Sequence, residues 1–297
     1  MSGKQAFLRV EREIGQLPAN EQLTKNLCDF SRFCRILILD GKYVAVKDFT
    51  RKIPFIYGID YLTHDIPLGD LFVSEDEAAF SLFFTRLKSL GYRPKVVVAD
   101  DRAGLKQALN KVFPGVLLQL CHTHYLENLR NLLKVRTDGT YQRFFNSLRS
   151  RVFLEGRDEQ RIIEGLVHLW DEQACGKRLL QNILSGIKVR RGDLFSYLQI
   201  KDCPNNTNLI ELYNSHLNGR LKTVKGFQSF KSARIWLNAY LVRRRTKPLT
   251  DCAAKFKHLN KHASLEWTIK KQARWPDDLQ RLGINKINYY YFYSTRG

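Results

Sequence analysis

Ile36-Leu37-Ile38-Leu39-Asp40-Gly41-Lys42-Tyr43-Val44 is a short β-rich run in which one acid breaks an otherwise apolar pattern. Lys95-Val96-Val97-Val98-Ala99-Asp100-Asp101-Arg102 repeats the arrangement. Strands that read as continuous apolar runs are usually buried on both faces, where an uncompensated carboxylate is costly, so an Asp at the end of each needs a reason. A third acid stands in Asn205-Asn206-Thr207-Asn208-Leu209-Ile210-Glu211-Leu212-Tyr213-Asn214, where a helix starts after Pro204. Oxygen ligands for Mg²⁺ would supply the reason. Each acid also has a local reading: Asp40-Gly41 as a turn, Asp100 as the cap of a helix beginning near Ala103, and Asn208-x-x-Glu211 as a capping box. Singly these stay open. The order strand, strand, helix, followed by a strongly basic region, favours a joint role.

Around these runs, Ile36 to Asp40 and Tyr43 to Lys47 read as a hairpin and Ile53 to Asp60 as a third strand. Ser74-Glu75-Asp76-Glu77 starts a helix whose stripe is Ala78, Phe80, Leu82, Phe83, Leu87 and Leu90, ending at Gly91. Lys95 to Ala99 and Val116 to Leu120 are strands flanking a helix over 104–112. From Asn208 a helix runs toward Thr223 with Ile210, Tyr213, Leu217 and Leu221 on one face and Asn208, Glu211, Ser215, Asn218 and Lys222 on the other. Glu211 is thus on the polar face, where a metal ligand must be and where a solvated Glu would be too.

Leu39-Asp40-Gly41-Lys42-Tyr43, Ala99-Asp100-Asp101-Arg102-Ala103-Gly104-Leu105, Phe113-Pro114-Gly115-Val116 with Gln119-Leu120-Cys121-His122-Thr123-His124, and Thr207-Asn208-Leu209-Ile210-Glu211 with Asn214-Ser215-His216-Leu217 and Arg220 to Phe227 follow one another in this order. Together they resemble the catalytic core of Mutator-type (MULE-like) insertion-sequence transposases, over residues 36–245. Members usually carry Gly after the second Asp, where this chain has Asp101, so Asp100 is the assignment and Asp101 the fallback.

The resemblance implies an α/β fold: a ribonuclease H-like mixed sheet flanked by helices, with an all-helical insertion before the third catalytic acid. Three strands, then helix, strand, helix, strand is the element order of such a sheet. Its first and fourth strands lie side by side, which would set Asp40 and Asp100 on the same ion. The segments expected are a lead-in over 1–35, the first part of the core over 36–135, the insertion over 136–204, the end of the core over 205–247 and a basic tail over 248–297. Trp170 falls on an apolar helical stripe and reads as core rather than as a base-stacking residue.

The activity implied is metal-dependent DNA strand cleavage and strand transfer by a DDE-type enzyme. Two Mg²⁺ (or Mn²⁺) ions would be held by Asp40, Asp100 and Glu211, with Asp40 bridging. Two ions about 3.5–4 Å apart stabilise the attacking and leaving oxygens of an in-line displacement. His124 is expected beside the scissile phosphate, since the family carries a Cys-or-Asp-x-x-His motif at Cys121-His122-Thr123-His124. A buried, hydrogen-bonded Cys and His is the open alternative. A structural zinc site wants four ligands, and the scattered cysteines offer no Cys-x-x-Cys pair to complete one.

Composition agrees. The 297 residues are 44% hydrophobic and 26% charged, enough for a packed core, and the net charge of +20 points to a polyanion. From Arg220 to Gly297 there are 18 Lys/Arg against 4 Asp/Glu. Arg220, Lys222, Lys225, Arg243, Arg244 and Arg245 are the expected contacts to DNA phosphates, with Lys231, Arg234 and Lys247 in the same tract. The aromatic run Tyr289 to Tyr293 reads as packing. No stretch reaches the roughly 18 apolar residues of a membrane helix and no signal-peptide core opens the chain, so a cytoplasmic, nucleoid-associated protein is expected. The six cysteines form no Cys-x-x-Cys pair and read as reduced thiols.

The expected partner is double-stranded DNA, both element ends and target, with a homo-oligomer when active and neither a membrane nor a small-molecule substrate. The resembled transposases carry a sizeable DNA-binding region before the first Asp, and only 39 residues precede it here, so an N-terminally shortened member is expected. The alternative is a non-catalytic DNA-binding remnant or inhibitor. A general nuclease or junction resolvase fits the long helical insertion less well.

Overall fold

A computed structural model describes residues 3–224 and 226–281. The expectations for Lys225 and for Tyr289 to Tyr293 lie outside the described residues. The chain is an α/β protein with five strands of mixed sense among the described residues, and it divides into two compact units.

The first unit comprises Met1–Pro94, Ala103–Pro114 and Asn208–Gly297. Its strands are β1 (Ile36–Val44), β2 (Ile53–Asp60) and β3 (Leu68–Leu71), antiparallel in sequence order. All eight residues of β2 are buried, as a strand covered on both faces requires. The helices are α1 (Gly3–Ile14), α2 (Asn20–Leu27), α3 (Glu77–Leu90) and α4 (Leu105–Val112). The second unit comprises Lys95–Arg102 and Gly115–Thr207. In it β4 (Val96–Ala99) and β5 (Leu117–Leu120) run parallel, followed by α5 (His122–Leu132), α6 (Gln142–Arg151), α7 (Glu159–Leu169), α8 (Arg178–Val189) and α9 (Arg191–Leu194). The chain then returns to the first unit with α10 (Asn208–Val224), α11 (Phe230–Thr246), α12 (Ser264–Thr268) and α13 (Asp277–Arg281). Helix α10 packs on β1, and α2 and α11 pack on β3.

Several sequence expectations are corrected. The hairpin turning at Gly41 does not form: Ile36–Val44 is one strand with Asp40 in its middle, paired with Tyr57. A two-residue Asp-Gly turn needs positive φ at both central residues, and neither Asp40 nor Gly41 has it. The long buried β2 instead offers a continuous partner, so Leu37 to Val44 pair with Asp60 to Ile53 without a break. A Cβ at Gly41 would lie 2.6 Å from Glu75 Oε1, the tip of a flexible side chain that would have to shift. The third strand is Leu68–Leu71, which the periodicity missed because four residues carry little pattern. Helix α3 is capped by Asp76, whose carboxylate accepts from Ala79 N at 2.9 Å, while Ser74 Oγ donates to Asp76. Its buried stripe is Ala79, Phe80, Phe83, Phe84, Leu87 and Leu90, and Gly91 ends it at φ +102 as a left-handed cap. Trp170 begins a π-helical turn and is 40% exposed, not core.

Strands β2, β4 and β5 and helices α4 and α10 match their expected spans within a residue or two. The segment between β5 and α10 is built of helices joined by turns, with its own core of Phe144, Phe145, Leu148, Ile162, Leu169, Leu184 and Ile187. It is tied back to β5 by polar contacts: buried Gln119 donates through Nε2 to Leu194 O at 2.8 Å and accepts from Tyr197 N at 2.8 Å, and Ser196 Oγ donates to Leu118 O at 2.7 Å.

Candidate active site

In the first unit the site is built on Asp40. Its Oδ1 accepts from Gly41 N at 2.8 Å and its Oδ2 from Asn214 Nδ2 at 2.6 Å. Asn214 in turn accepts through Oδ1 from Tyr57 OH at 2.8 Å. Tyr57 is the cross-strand partner of Asp40 and is fully buried, and burial pushes its hydroxyl well above its ordinary pKa, so it stays a donor. The chain Tyr57 to Asn214 to Asp40 therefore sets the rotation of α10 against β1 and β2. Glu211 stands three residues before Asn214, and residues at that spacing share a helix face with Cβ atoms about 5–6 Å apart. Glu211 is thereby carried on the face of α10 that meets Asp40.

In the second unit the site is built where two parallel strands end together. Ala99 pairs with Leu120, so Asp100 and Cys121 both lie just past the carboxyl ends, and Cys121 N donates to Ala99 O at 2.9 Å. Cys121 is also the residue from which α5 starts, so His124 returns over it one turn later. His124 Nδ1 lies 2.6 Å from Asp100 Oδ1 and 3.3 Å from Cys121 Sγ. The Asp100 carboxylate first, then Cys121, raise the His124 pKa from 6.5 to about 10, so the imidazole is protonated at neutral pH. Burial alone would raise the Cys121 thiol, but hydrogen bonds from His124 and Thr207 bring it below its ordinary value. Thr207 reaches Sγ through its N at 3.3 Å and its Oγ1 at 3.2 Å.

Asp101 is exposed and pairs with Arg190 at 2.7 Å, which favours Asp100 as the second acid. Asp100 caps nothing, because α4 starts from Gly104 without a side-chain cap. His122 is a different case from His124. Buried among Phe153, Phe195 and Tyr197, it contacts Leu194 O at 2.6 Å, and burial lowers its pKa to about 4. It is a neutral core residue.

The basic tract separates into three kinds of residue. Arg245 cannot meet DNA as placed, which corrects its assignment: it is 0% exposed, with its guanidinium donating to Asp65 at 2.7 and 2.9 Å, to Asn20 Oδ1 at 2.9 Å and to Thr24 Oγ1 at 2.8 Å. Consecutive helical residues point about 100° apart, so three arginines in a row cannot share one face. Arg234 is likewise committed, to Asp70, which Arg86 also holds. Arg244 is half-buried with its guanidinium 4.3 Å from the Tyr213 ring centre. Arg243, Arg220 and Lys247 line, with Trp236 and Tyr240, a cleft of about 440 Å³ between α10, α11 and the segment after it. Lys222 is exposed on α10.

Asn214 and Thr207 are the residues that sequence reasoning quoted without giving a role. The signal for Asn214 was its spacing of three from Glu211 on a helix with a polar face. Thr207 had no comparable signal, because its partner Cys121 is distant in the chain.

The family model described as transposase, Mutator family, matches residues 35–246, a span that includes Asp40, Asp100, His124 and Glu211. Over 98 residues the chain is 33% identical to the transposase for insertion sequence element ISRM5 of Rhizobium meliloti (strain 1021), covering 31% of this chain and 25% of that protein. Over 172 residues it is 24% identical to the transposase for insertion sequence element IS256 in transposon Tn4001 of Staphylococcus aureus, covering 57% of this chain and 43% of that protein. A transposase of the same description from Enterococcus faecalis (strain ATCC 700802 / V583) matches to the same extent. The matched segments span less than half the length of these relatives.

Proposed function

This chain belongs to the Mutator family of transposases, and from that premise we propose that it is a DDE-type transposase with a ribonuclease H-like core that cuts and joins the DNA ends of an insertion sequence. Asp40, Asp100 and Glu211 are its acids. The observation that supports the reading is the hydrogen bond from Asn214 to Asp40, with Glu211 three residues earlier on the same helix. The donor set fits Mg²⁺ or Mn²⁺: the three side chains are carboxylates, hard oxygen ligands, none of them fully buried. Two such ions, when bound, would stabilise the attacking and leaving oxygens at phosphorus.

The chain's own residues orient and neutralise. Tyr57 and Asn214 hold the Asp40 carboxylate in one rotamer, and Thr207 and Cys121 fix His124 so that Nδ1 faces Asp100. The protonated imidazole would donate to a phosphate oxygen. Water adds to phosphorus and the O3′ leaves with a proton. The freed 3′-hydroxyl then attacks a target phosphodiester, expelling the target's own O3′. Arg220, Lys222, Arg243, Arg244 and Lys247 would hold the duplex by phosphate contacts that carry no sequence information. The partners are double-stranded DNA and, in the active assembly, further copies of this chain. No helix among the described residues is long and apolar enough to cross a membrane.

The test is a cleavage and strand-transfer assay with the terminal repeats that flank the coding sequence. Mg²⁺-dependent 3′-hydroxyl ends and joined products are expected from the wild type and absent from Asp40→Asn. DNA binding without either product would instead identify a non-catalytic remnant or inhibitor.

A further inference from the structure

One oxygen, one nitrogen and one sulfur meet at the end of the parallel strand pair. The ligand atoms of Asp100, Cys121 and His124 lie within 4.8 Å of one another. His124 Nδ1 is 2.6 Å from the carboxylate oxygen and 3.3 Å from Sγ. Four-coordinate zinc, with bonds of about 2.0–2.3 Å, needs ligand atoms about 3.3–3.8 Å apart. The Cys121 to His124 separation already meets that spacing, and small shifts of the Asp100 carboxylate, which lies within 4.8 Å of both, would complete a coordination site.

The surroundings of the sulfur point the same way. Cys121 is 1% exposed, and Thr207 aims both its backbone N–H and its hydroxyl at Sγ. Two donors on a buried sulfur suit a thiolate, and outer-shell donors of this kind orient a metal ligand. Sequence spacing had argued against zinc for want of ligands. Asp100 is the missing third, brought in by the parallel register and not by proximity in the chain. Three protein ligands with an open fourth position is the pattern of an exchangeable site rather than a closed structural one.

We propose that Asp100, Cys121 and His124 form a soft-metal site that takes Zn²⁺ and thereby withdraws Asp100 from the Mg²⁺ ions of the transposition reaction. Thiolate and imidazole select Zn²⁺, whereas Mg²⁺ keeps to oxygen, so the two metals compete through the one carboxylate they can share. The competition rests on the function proposed above. Zinc binding itself does not.

The experiment is a Co²⁺ titration of the metal-free full chain under reducing conditions, read by absorbance. One Co²⁺ per chain is expected, with a thiolate-to-cobalt charge-transfer band that Zn²⁺ abolishes. Cys121→Ser should remove the band. Thr207→Val keeps all three ligands and should weaken binding about ten- to a hundredfold, the usual effect of losing an outer-shell partner. Absence of the band in wild type, or its survival in Cys121→Ser, overturns the site. Should Cys121→Ser lose its far-ultraviolet circular dichroism, His124→Ala decides instead: unchanged Co²⁺ affinity there overturns the site. Excess Mg²⁺ should shift the wild-type titration to higher Co²⁺ but leave Asp100→Asn unmoved. A wild-type midpoint indifferent to Mg²⁺ overturns the shared carboxylate and leaves zinc binding standing, so the two parts fail separately. Both readouts are independent of catalytic activity.

Discussion

Asp60 and Asp65 can be set against Asp40 and Glu211, in the same unit and around the same strands. Asp60 closes an apolar strand, the very pattern that made Asp40 and Asp100 conspicuous. Yet it is 0% exposed and accepts from Arg35 N at 2.9 Å, Thr63 Oγ1 at 2.8 Å and Tyr92 OH at 2.9 Å. Asp65 is also 0% exposed, with the Arg245 guanidinium across it and Thr268 Oγ1 donating from α12. Asp40 and Glu211 are half-buried, and the Asn214 amide that holds Asp40 brings no charge. Asp60 and Asp65 are thus structural nodes, fully enclosed by protein donors and, for Asp65, by a buried cation. Asp40 and Glu211 keep part of their surface open, as a candidate binding site requires. The same division runs through the arginines, Arg245 inward and Arg243 outward on one helix.

The largest effect expected from breaking this comparison is on chemistry. Asp40→Asn should lower Mg²⁺-dependent cleavage by roughly 10³-fold or more, as losing several kcal/mol of transition-state stabilisation implies, while thermal melting stays close to wild type. A fall in melting temperature as large as that of an Asp65 substitution would put Asp40 among the nodes. Next comes Arg245→Gln, which leaves Asp65 buried and unpaired and should cost about 3–5 kcal/mol in urea unfolding. Its DNA affinity, once corrected for the folded fraction, should keep the wild-type salt slope; a flattened slope would mean that Arg245 meets phosphate after all.

The paired substitution Arg243→Gln with Lys247→Gln should do the opposite. The slope of log affinity against log salt should fall by about 0.9 for each lost phosphate contact, with stability within about 0.5 kcal/mol. An unchanged slope would remove the cleft beside Trp236 from the DNA surface. The smallest effect concerns His124 in metal-free protein. Its folded pKa of about 10 lies above the ordinary 6.5, so its pairing with Asp100 stabilises fully below pH 6.5 and fades as pH rises through about 10. Asp100→Asn should flatten that limb of the stability profile and bring the imidazole titration, followed by NMR, back toward 6.5. A His124 titration unmoved by Asp100→Asn would break the pair.

The strands and helix that carry the candidate residues were largely readable in advance because their signals are local. The apolar runs before Asp40 and Asp100, the helix phase that sets Glu211 on a polar face, and the Cys121 to His124 spacing all lie within a turn or a strand. What misled was also local. Asp-Gly mimics a turn, and a run of arginines mimics a basic patch, although helix geometry alone forbids Arg243, Arg244 and Arg245 from facing one way.

Hydrophobic periodicity, which is a property of neighbouring residues, is enough to determine the strands Ile53–Asp60 and Val96–Ala99, the helix from Asn208 and the helical segment between β5 and α10. Tertiary structure alone decided that β1 runs through Gly41, because its partner strand is continuous, and that Arg245 is the arginine turned inward, because Asp65 waits there uncompensated. It also decided that Asn214 holds Asp40 and that Thr207 and Asp100 join Cys121 and His124. Those contacts link residues 174, 86 and 24 positions apart for Asn214 with Asp40, Thr207 with Cys121 and Asp100 with His124, and polar contacts of about 2.6–3.3 Å between such positions exist only once the backbone has been brought round.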